Sequence, residues 1–386
     1  MASTAPEAAE ATGRHRSEIS PAASQRRGIG WLALVGTAVL IAGIVAWRAD
    51  TDSTRGSETA TESVAAEHGR SFLRHYLEPD GRIVRADEGG DVVSEGQAYG
   101  MLIAAAIGEE ATFRTIWAWT RSNLSRPDGL LAWRWFEGSV ADVNSASDAD
   151  LDAARALVLA GERFGAPELR AEGERLAAAV LDHETARFEG AAVMVAGSWA
   201  MTEPEQVNVS YFSPRAEQDL SRFDPRWNAM SGAHRGILER LLRENALPPD
   251  WIRLDGSSIS AIGHGSAPVQ FGLDAARTPI RLAESCAPED WALAATMRAP
   301  LMKQTATAGI RQLDGTPAVE WKHPIALVAL AATERADGDD AAGATSLREA
   351  AALQQQYPTY YGAAWVALGY LMLETSMLGD CSAPST

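Results

Sequence analysis

Beyond residue 62 apolar residues recur every three to four positions almost to the end of the chain, and that period commits it to helices. Helical faces are read over 62–77, 95–107, 109–124, 148–164, 167–183, 226–245, 279–285, 323–335, 342–356 and 359–376. Strand-like alternation is scarce, with 188–196 the best case. Clusters of Gly, Pro and Asp separate the helices at 78–91, 126–129, 136–147, 200–215 and 246–268. No single break divides this region, and no short repeat is visible. Such a succession suits an all-α barrel or toroid; an α-solenoid would show the same periodicity.

Ahead of the helical region lies a different kind of segment. Residues 28–47 carry no charge, and about 20 such residues cross a bilayer core as a helix. Trp31 and Trp47 stand near its ends, where indoles favour the membrane interface. Arg14, Arg16, Arg26 and Arg27 precede it, while Arg48 and Arg55 follow among Asp50, Asp52 and Glu58. The basic bias places the N-terminus in the cytoplasm and the rest outside. The expected organisation is a disordered cytoplasmic tail (1–27), a single-pass signal-anchor (28–47), a linker (48–62) and an exported catalytic domain (63–386). Cleavage of the segment as a signal peptide, giving a secreted protein, is the alternative.

Net charge is −17, which argues against nucleic acid as a partner. Cys286 and Cys381 contain no C-x-x-C pair that would hold zinc. They pair if the domain is exported, or remain two thiols. Twelve Trp against eight Phe and seven Tyr is a Trp-biased set, and flat indoles stack on the apolar faces of sugar rings. No nucleophile elbow, phosphate loop or H-E-x-x-H helix occurs. No cofactor and no metal is expected, and His264, between Gly263 and Gly265, reads as a loop residue.

What remains is a set of carboxylates at special backbone positions. Ser94-Glu95-Gly96-Gln97 has the form of a capping box, which puts Glu95 in the first turn of a helix with Tyr99 one turn on. Ser147-Asp148-Ala149-Asp150-Leu151-Asp152 opens a second helix, where Asp148 suits a cap and Asp150 and Asp152 read as solvated or structural. Asp274 stands in Phe271-Gly272-Leu273-Asp274-Ala275-Ala276-Arg277, just before Thr278-Pro279, an N-cap and first-turn pair. Separate carboxylates of this kind suggest acid/base hydrolysis of a glycoside.

These segments resemble glycoside hydrolase family 8. Residues 94–101 are similar to the stretch around that family's general acid, and 146–152 to its A-[ST]-D-x-D signature. Asn208-Val209-Ser210-Tyr211-Phe212-Ser213-Pro214 resembles its N-P-S-Y-F-S-P segment, and 271–279 the segment of its base. The resemblance implies an (α/α)6 barrel with an open substrate cleft and inverting, endo-acting hydrolysis of β-1,4-glucan. Chitosan, xylan or mixed-linkage glucan are alternative substrates. A glycan-binding accessory of a cellulose synthase complex is the alternative outside the enzyme class. The chain departs from the pattern at Val209, Leu273 and Glu284, where proline, an aromatic residue and Trp are usual.

Carried over residue by residue, Glu95 would be the acid and Asp274 the base. Asp148 would grip the sugar at the cleavage subsite, Tyr211 would orient the attacking water, and Arg277 would keep Asp274 ionised. Glu95 must hold its proton near neutrality although a helix N-terminus favours the carboxylate. Burial or a second charge, for which Asp148 is placed, has to overcome that. Trp133, Trp135 and Trp199 are candidate stacking platforms, with Trp133 and Trp135 facing one side of a strand-like stretch. Of Tyr360 and Tyr361, at the start of the last helix, Tyr361 is the candidate cleft aromatic.

Overall fold

The computed structural model describes residues 59–379. The expected tail, anchor and most of the linker, together with Cys381, lie outside the described residues. Among the described residues no helix is long and apolar enough to cross a membrane.

Residues 59–76 form helix α1. After the short strand β1 (Val92–Val93) come α2 (Ser94–Ala106) and α3 (Glu110–Leu124). A hairpin, β2 (Arg134–Phe136) and β3 (Ser139–Asp142), leads to α4 (Ser147–Arg163) and α5 (Pro167–His183). A second hairpin, β4 (Thr185–Phe188) and β5 (Ala191–Met194), precedes β6 (Glu205–Asn208), α6 (Pro214–Ser221) and α7 (Arg226–Glu244). Strands β7 (Trp251–Asp255) and β8 (Ser258–Ile262) follow, then α8 (Arg277–Glu284), α9 (Pro288–Thr296) and α10 (Arg298–Met302). Helices α11 (Pro324–Ala336), α12 (Asp340–Gln356) and α13 (Tyr360–Glu374) complete the order.

Helix composition sorts these elements into two layers. Helices α2, α11 and α13 are buried on almost every face, and so belong inside. In α3, only Phe113, Ile116, Trp117, Thr120 and Leu124 are buried, a single stripe that needs one covered side. Contacts run α2 to α4, α4 to α6, α6 to α8, α8 to α11, α11 to α13, and α13 back to α2. The six inner helices therefore close a ring. Helices α3, α5, α7, α9 and α12 each cover the inner helix before them in the chain. Helix α1 lies against α13, where His68 stacks on Tyr370 at 4.4 Å. This order is consistent with the (α/α)6 arrangement expected.

Several local expectations are corrected. The strand read at 188–196 is the second half of the β4–β5 hairpin, which turns at Glu189 and Gly190, both at positive φ. The loop expected at 246–268 contains β7 and β8; β7 pairs with β6 on one edge and β8 on the other in a three-stranded sheet. Helix α6 and the pair α9–α10 were not expected; they are short, with too few turns to show a period. The capping box does not form. Val93 is the N-cap, and the Ser94 hydroxyl has no partner. The buried Gln97 amide instead accepts from the Ile83 N–H and donates to the Gly81 carbonyl and the Thr120 hydroxyl.

Candidate active site

Inner helices bring their N-termini to one end of the ring. Glu95 is the second residue of α2, Asp148 the second of α4, Arg277 the first of α8 and Tyr361 the second of α13. Arg277 sits among them, 1% exposed, and organises the site. Its Nη1 donates to Glu95 Oε1 at 2.6 Å, to Asp148 Oδ2 at 2.7 Å and to the Tyr99 hydroxyl at 3.2 Å. Its Nη2 lies 3.3 Å from Asp274 Oδ1, and its Nε donates to the Ser210 hydroxyl at 3.1 Å. The Tyr211 ring lies 5.1 Å below the guanidinium carbon, within cation–π reach.

Three carboxyl groups thus share one guanidinium. With all three ionised the cluster would carry a surplus of negative charge in a site closed on most sides, so one proton is retained at least cost. Glu95 takes it. Burial pushes its carboxyl up to about 7; Arg277 opposes, while Asp148 and Asp274 reinforce the rise. Burial and the two neighbouring carboxyl groups thus act against the attraction of the helix N-terminus for a carboxylate. The Tyr99 hydroxyl donates to Glu95 Oε1 at 2.8 Å, and burial holds that phenol well above its usual range.

Asp274, with 38% of its side chain exposed, faces the open end of the site. Asn208 Nδ2 donates to its Oδ2 at 2.8 Å. Asn208 Oδ1 in turn accepts from the backbone and hydroxyl of Ser210, which joins this chain to Arg277. The loop carrying Asp274 is tied down by Asp250, whose Oδ1 accepts from the Gly272 and Ala275 N–H groups, each at 2.8 Å. Burial, then the negative Asp274, pushes Asp250 up to about 6.

The structure brings together Glu95, Asp148, Tyr211, Asp274, Arg277 and Tyr361. Arg277 reaches Asp274 and also Glu95 and Asp148, to which it lies nearer. Asp148 is not an N-cap; Ala146 is, and Asp148 turns to Arg277. Thr278 is not a cap either: the helix begins a residue earlier and its hydroxyl is unpartnered. Asp150 and Asp152 are fully buried rather than solvated. Asp150 accepts from the Leu131 N–H, and Asp152 is paired with Arg281.

The aromatic candidates divide. Trp133 lies beside α2, its carbonyl accepting from the Ser94 N–H. Trp135 is edge-on to Trp119 at 5.4 Å and under Arg82 at 5.5 Å. A register shift falls between Arg134 and Trp135, with Ala141 of β3 the extra residue. Trp199 is 38% exposed and belongs to a train of rings, lying 6.4 Å from both Trp251 and His264, with Tyr211 6.2 Å beyond Trp251. His264 is indeed in a turn, stacked on Trp251 at 3.9 Å.

Of the two adjacent tyrosines, Tyr361 is the one beside the site, in the fields of Arg277, Glu95 and Asp274. Tyr360 is fully buried, with its ring between Phe72 and Tyr76. Its hydroxyl occupies the space a Cβ on residue 96 would need, which is why glycine follows Glu95.

Tyr99, Asn208, Ser210 and Asp250 were not singled out as site residues from sequence. Tyr99 had a signal, its place one turn from Glu95. Asn208 and Ser210 lie in the segment that carries Tyr211. Asp250 had none, because its region reads as loop. Among the described residues no group of three or more His, Cys, Asp or Glu could hold a metal ion.

The chain is similar to known proteins in sequence and in fold. The family model described as "Glycosyl hydrolases family 8" matches residues 44–320. The probable endoglucanase of Novacetimonas hansenii is 34% identical over 238 residues, which are 59% of this chain and 69% of that protein. The endoglucanase of Escherichia coli K12 is 30% identical over 199 residues, 48% of this chain and 53% of its own. The chain thus spans about half the length of that curated relative. The solved endo-beta-1,4-glucanase CMCax of Acetobacter xylinum superposes with a TM-score of 0.68 at 28% identity, over 80% of this chain and 97% of that one. With a match of that extent over a ring whose inner helices open on one site, the chain belongs to glycosyl hydrolase family 8.

Proposed function

We propose that this chain is an inverting, endo-acting β-1,4-glucanase whose (α/α)6 ring opens at the site end into a cleft for a glucan chain. The observation that carries the reading is one buried guanidinium holding two unlike carboxyl groups. Glu95 is protonated to about 7, and Asp274 is exposed on the far side of Arg277. Both bonds received by Glu95 fall on Oε1, which leaves Oε2 for the proton to be transferred. A single guanidinium between the two groups suits the separation of ~6.5–9.5 Å that leaves room for a water in inverting enzymes.

In this mechanism Asp274 accepts a proton from a water as its oxygen attacks the anomeric carbon. Glu95 gives its proton to the glycosidic oxygen as the carbon–oxygen bond breaks. The Asn208 amide fixes the Asp274 carboxylate so that one oxygen faces that water. Tyr211, kept protonated by burial, is the nearby hydroxyl that orients it. Asp148, adjacent to Arg277, grips the sugar at the point of cleavage. Trp133, Trp199 and Tyr361 supply stacking faces for neighbouring sugar rings.

The names of the relatives support a β-1,4-glucan as substrate. The uncharged run at 28–47 supports a membrane anchor, and the arginines ahead of it support a catalytic domain outside the cell. The test is hydrolysis by the full chain of carboxymethyl cellulose, mixed-linkage glucan, xylan and chitosan, read as loss of viscosity and as anomeric configuration of the first product. Cleavage of a β-1,4-glucan with inversion is expected. Cleavage of xylan or chitosan alone would replace the substrate, and retention of configuration would remove the mechanism.

A further inference from the structure

Five of the six inner helices deliver a named side chain to the site end of the ring from their N-terminal turn or the segment just before it. Helix α11 is the exception. Its N-cap is His323, whose ring nitrogen lies 3.3 Å from the hydroxyl of Thr359, the N-cap of α13. Two residues earlier stands Trp321, 46% exposed. Its ring lies 6.4 Å from His323, and His323 lies 6.0 Å from Tyr361. A line of rings therefore runs outward from Tyr361 on the α11 side.

Trp321 is exposed but held. Residues 307–309 and 321–323 pair antiparallel: Gly309 N–H donates to the Trp321 carbonyl and His323 N–H to that of Thr307, each at 3.1 Å. Gly309 faces Trp321 across this ladder, and the indole lies so close over it that a Cβ there would overlap the ring. One indole face is thus packed on backbone while much of the ring stays open to solvent. A large aromatic group left exposed in a fixed pose, flanked by the exposed Glu320 and Lys322, is an arrangement that receives a flat, partly apolar ligand.

We infer that Trp321, seated on Gly309, is an outer sugar-stacking platform that extends glucan binding beyond Tyr361. This rests on the glucan reading above for its ligand. The platform touches no reacting group, so it acts on binding of chains long enough to reach it and not on the bond-breaking step.

The experiment is native gel electrophoresis of the full chain through hydroxyethyl cellulose, alongside kinetics on carboxymethyl cellulose and on the shortest cello-oligomer the enzyme turns over. Trp321→Ala is expected to lose retardation in the gel and to raise KM for the polymer about three- to tenfold, with kcat and short-oligomer kinetics within twofold. Gly309→Ala, which displaces the indole without deleting it, should move KM the same way, and Trp321→Phe should restore most of the binding. A purely structural role for Trp321 would lower Tm without this dependence on chain length. Unchanged retardation and polymer KM in Trp321→Ala would overturn the inference, as would a wild type that no glucan retards. A wild type that is retarded but hydrolyses no β-1,4-glucan would remove the proposed function and leave the platform standing.

Discussion

Helices α4 and α8 carry matching charges at three successive levels. At their N-terminal ends Asp148 meets Arg277; one turn deeper Asp152 meets Arg281; about a turn below that Arg155 meets Glu284. All six side chains are buried. The levels differ in what else reaches them. Arg277 serves Glu95 and Asp274 as well as Asp148, and those two are open to the site. Arg281 faces Asp152 with the Trp365 ring beneath it at 5.3 Å. Arg155 is shared by Glu284 and Asp219 and also donates to the Leu378 carbonyl. The same pair of residue types is therefore a site at one level and a strut at the next. A surplus of carboxyls around a cation, with access from outside, creates a proton to transfer; a closed one-to-one pair creates none.

The sharpest break in this comparison comes from removing the proton donor and the proton acceptor. Glu95→Gln and Asp274→Asn should each lower kcat about 10²–10⁴-fold, the range for loss of a positioned acid or base, with the fold retained by circular dichroism. Near-wild-type turnover in either variant would take that residue out of the mechanism.

At the closed level the effect should fall on stability. Asp152→Asn strands Arg281 and should cost ~3–5 kcal/mol, measured by denaturant unfolding. The remaining folded enzyme should keep kcat within about threefold. Replacing both members, Asp152→Leu with Arg281→Met, should recover most of the loss, because a buried pair gains little over apolar side chains of similar volume. Full activity loss in the folded single variant would mean that the second level also sets the reacting geometry.

These levels bear on what the sequence could and could not tell. The succession of helices was legible in its period, but the period fits a solenoid as well, and the ring followed from the family resemblance. The catalytic candidates were legible, because Glu95, Asp148 and Asp274 stand in short motifs whose order the family shares. The pairing of Asp152 with Arg281 was not: residues 129 positions apart are joined only by ring closure, and read singly each is an ordinary helix charge. Asp250 has no local signature because its role is to hold another loop. Glu284, a departure from the family pattern, finds its cause in Arg155.

A smaller effect tests the charge surplus itself. Glu95 must be protonated to act as an acid, so kcat should fall as pH rises through about 7. Asp148→Asn removes one of the charges that raise Glu95, and should move this alkaline limb toward lower pH as well as weakening substrate binding. A limb that stays in place while KM rises would confine Asp148 to gripping the sugar.

The smallest effect separates the two levels by stability alone. The Glu95 carboxyl titrates at about 7 in the folded protein against 4.5 ordinarily, so the folded state keeps a proton that the unfolded chain releases between those values. Its contribution to stability is complete below 4.5 and is lost as pH rises through 7. Above that, the folded protein carries a buried carboxylate that the Gln variant lacks. Glu95→Gln should therefore raise Tm by a few degrees on the alkaline side, and the gain should vanish in acid. Asp152→Asn, which removes a paired charge, should lower Tm on both sides. If Glu95→Gln instead lowered Tm in alkali, the Arg277 attraction would outweigh burial, and Glu95 would be ionised at neutral pH and unable to serve as the proton donor.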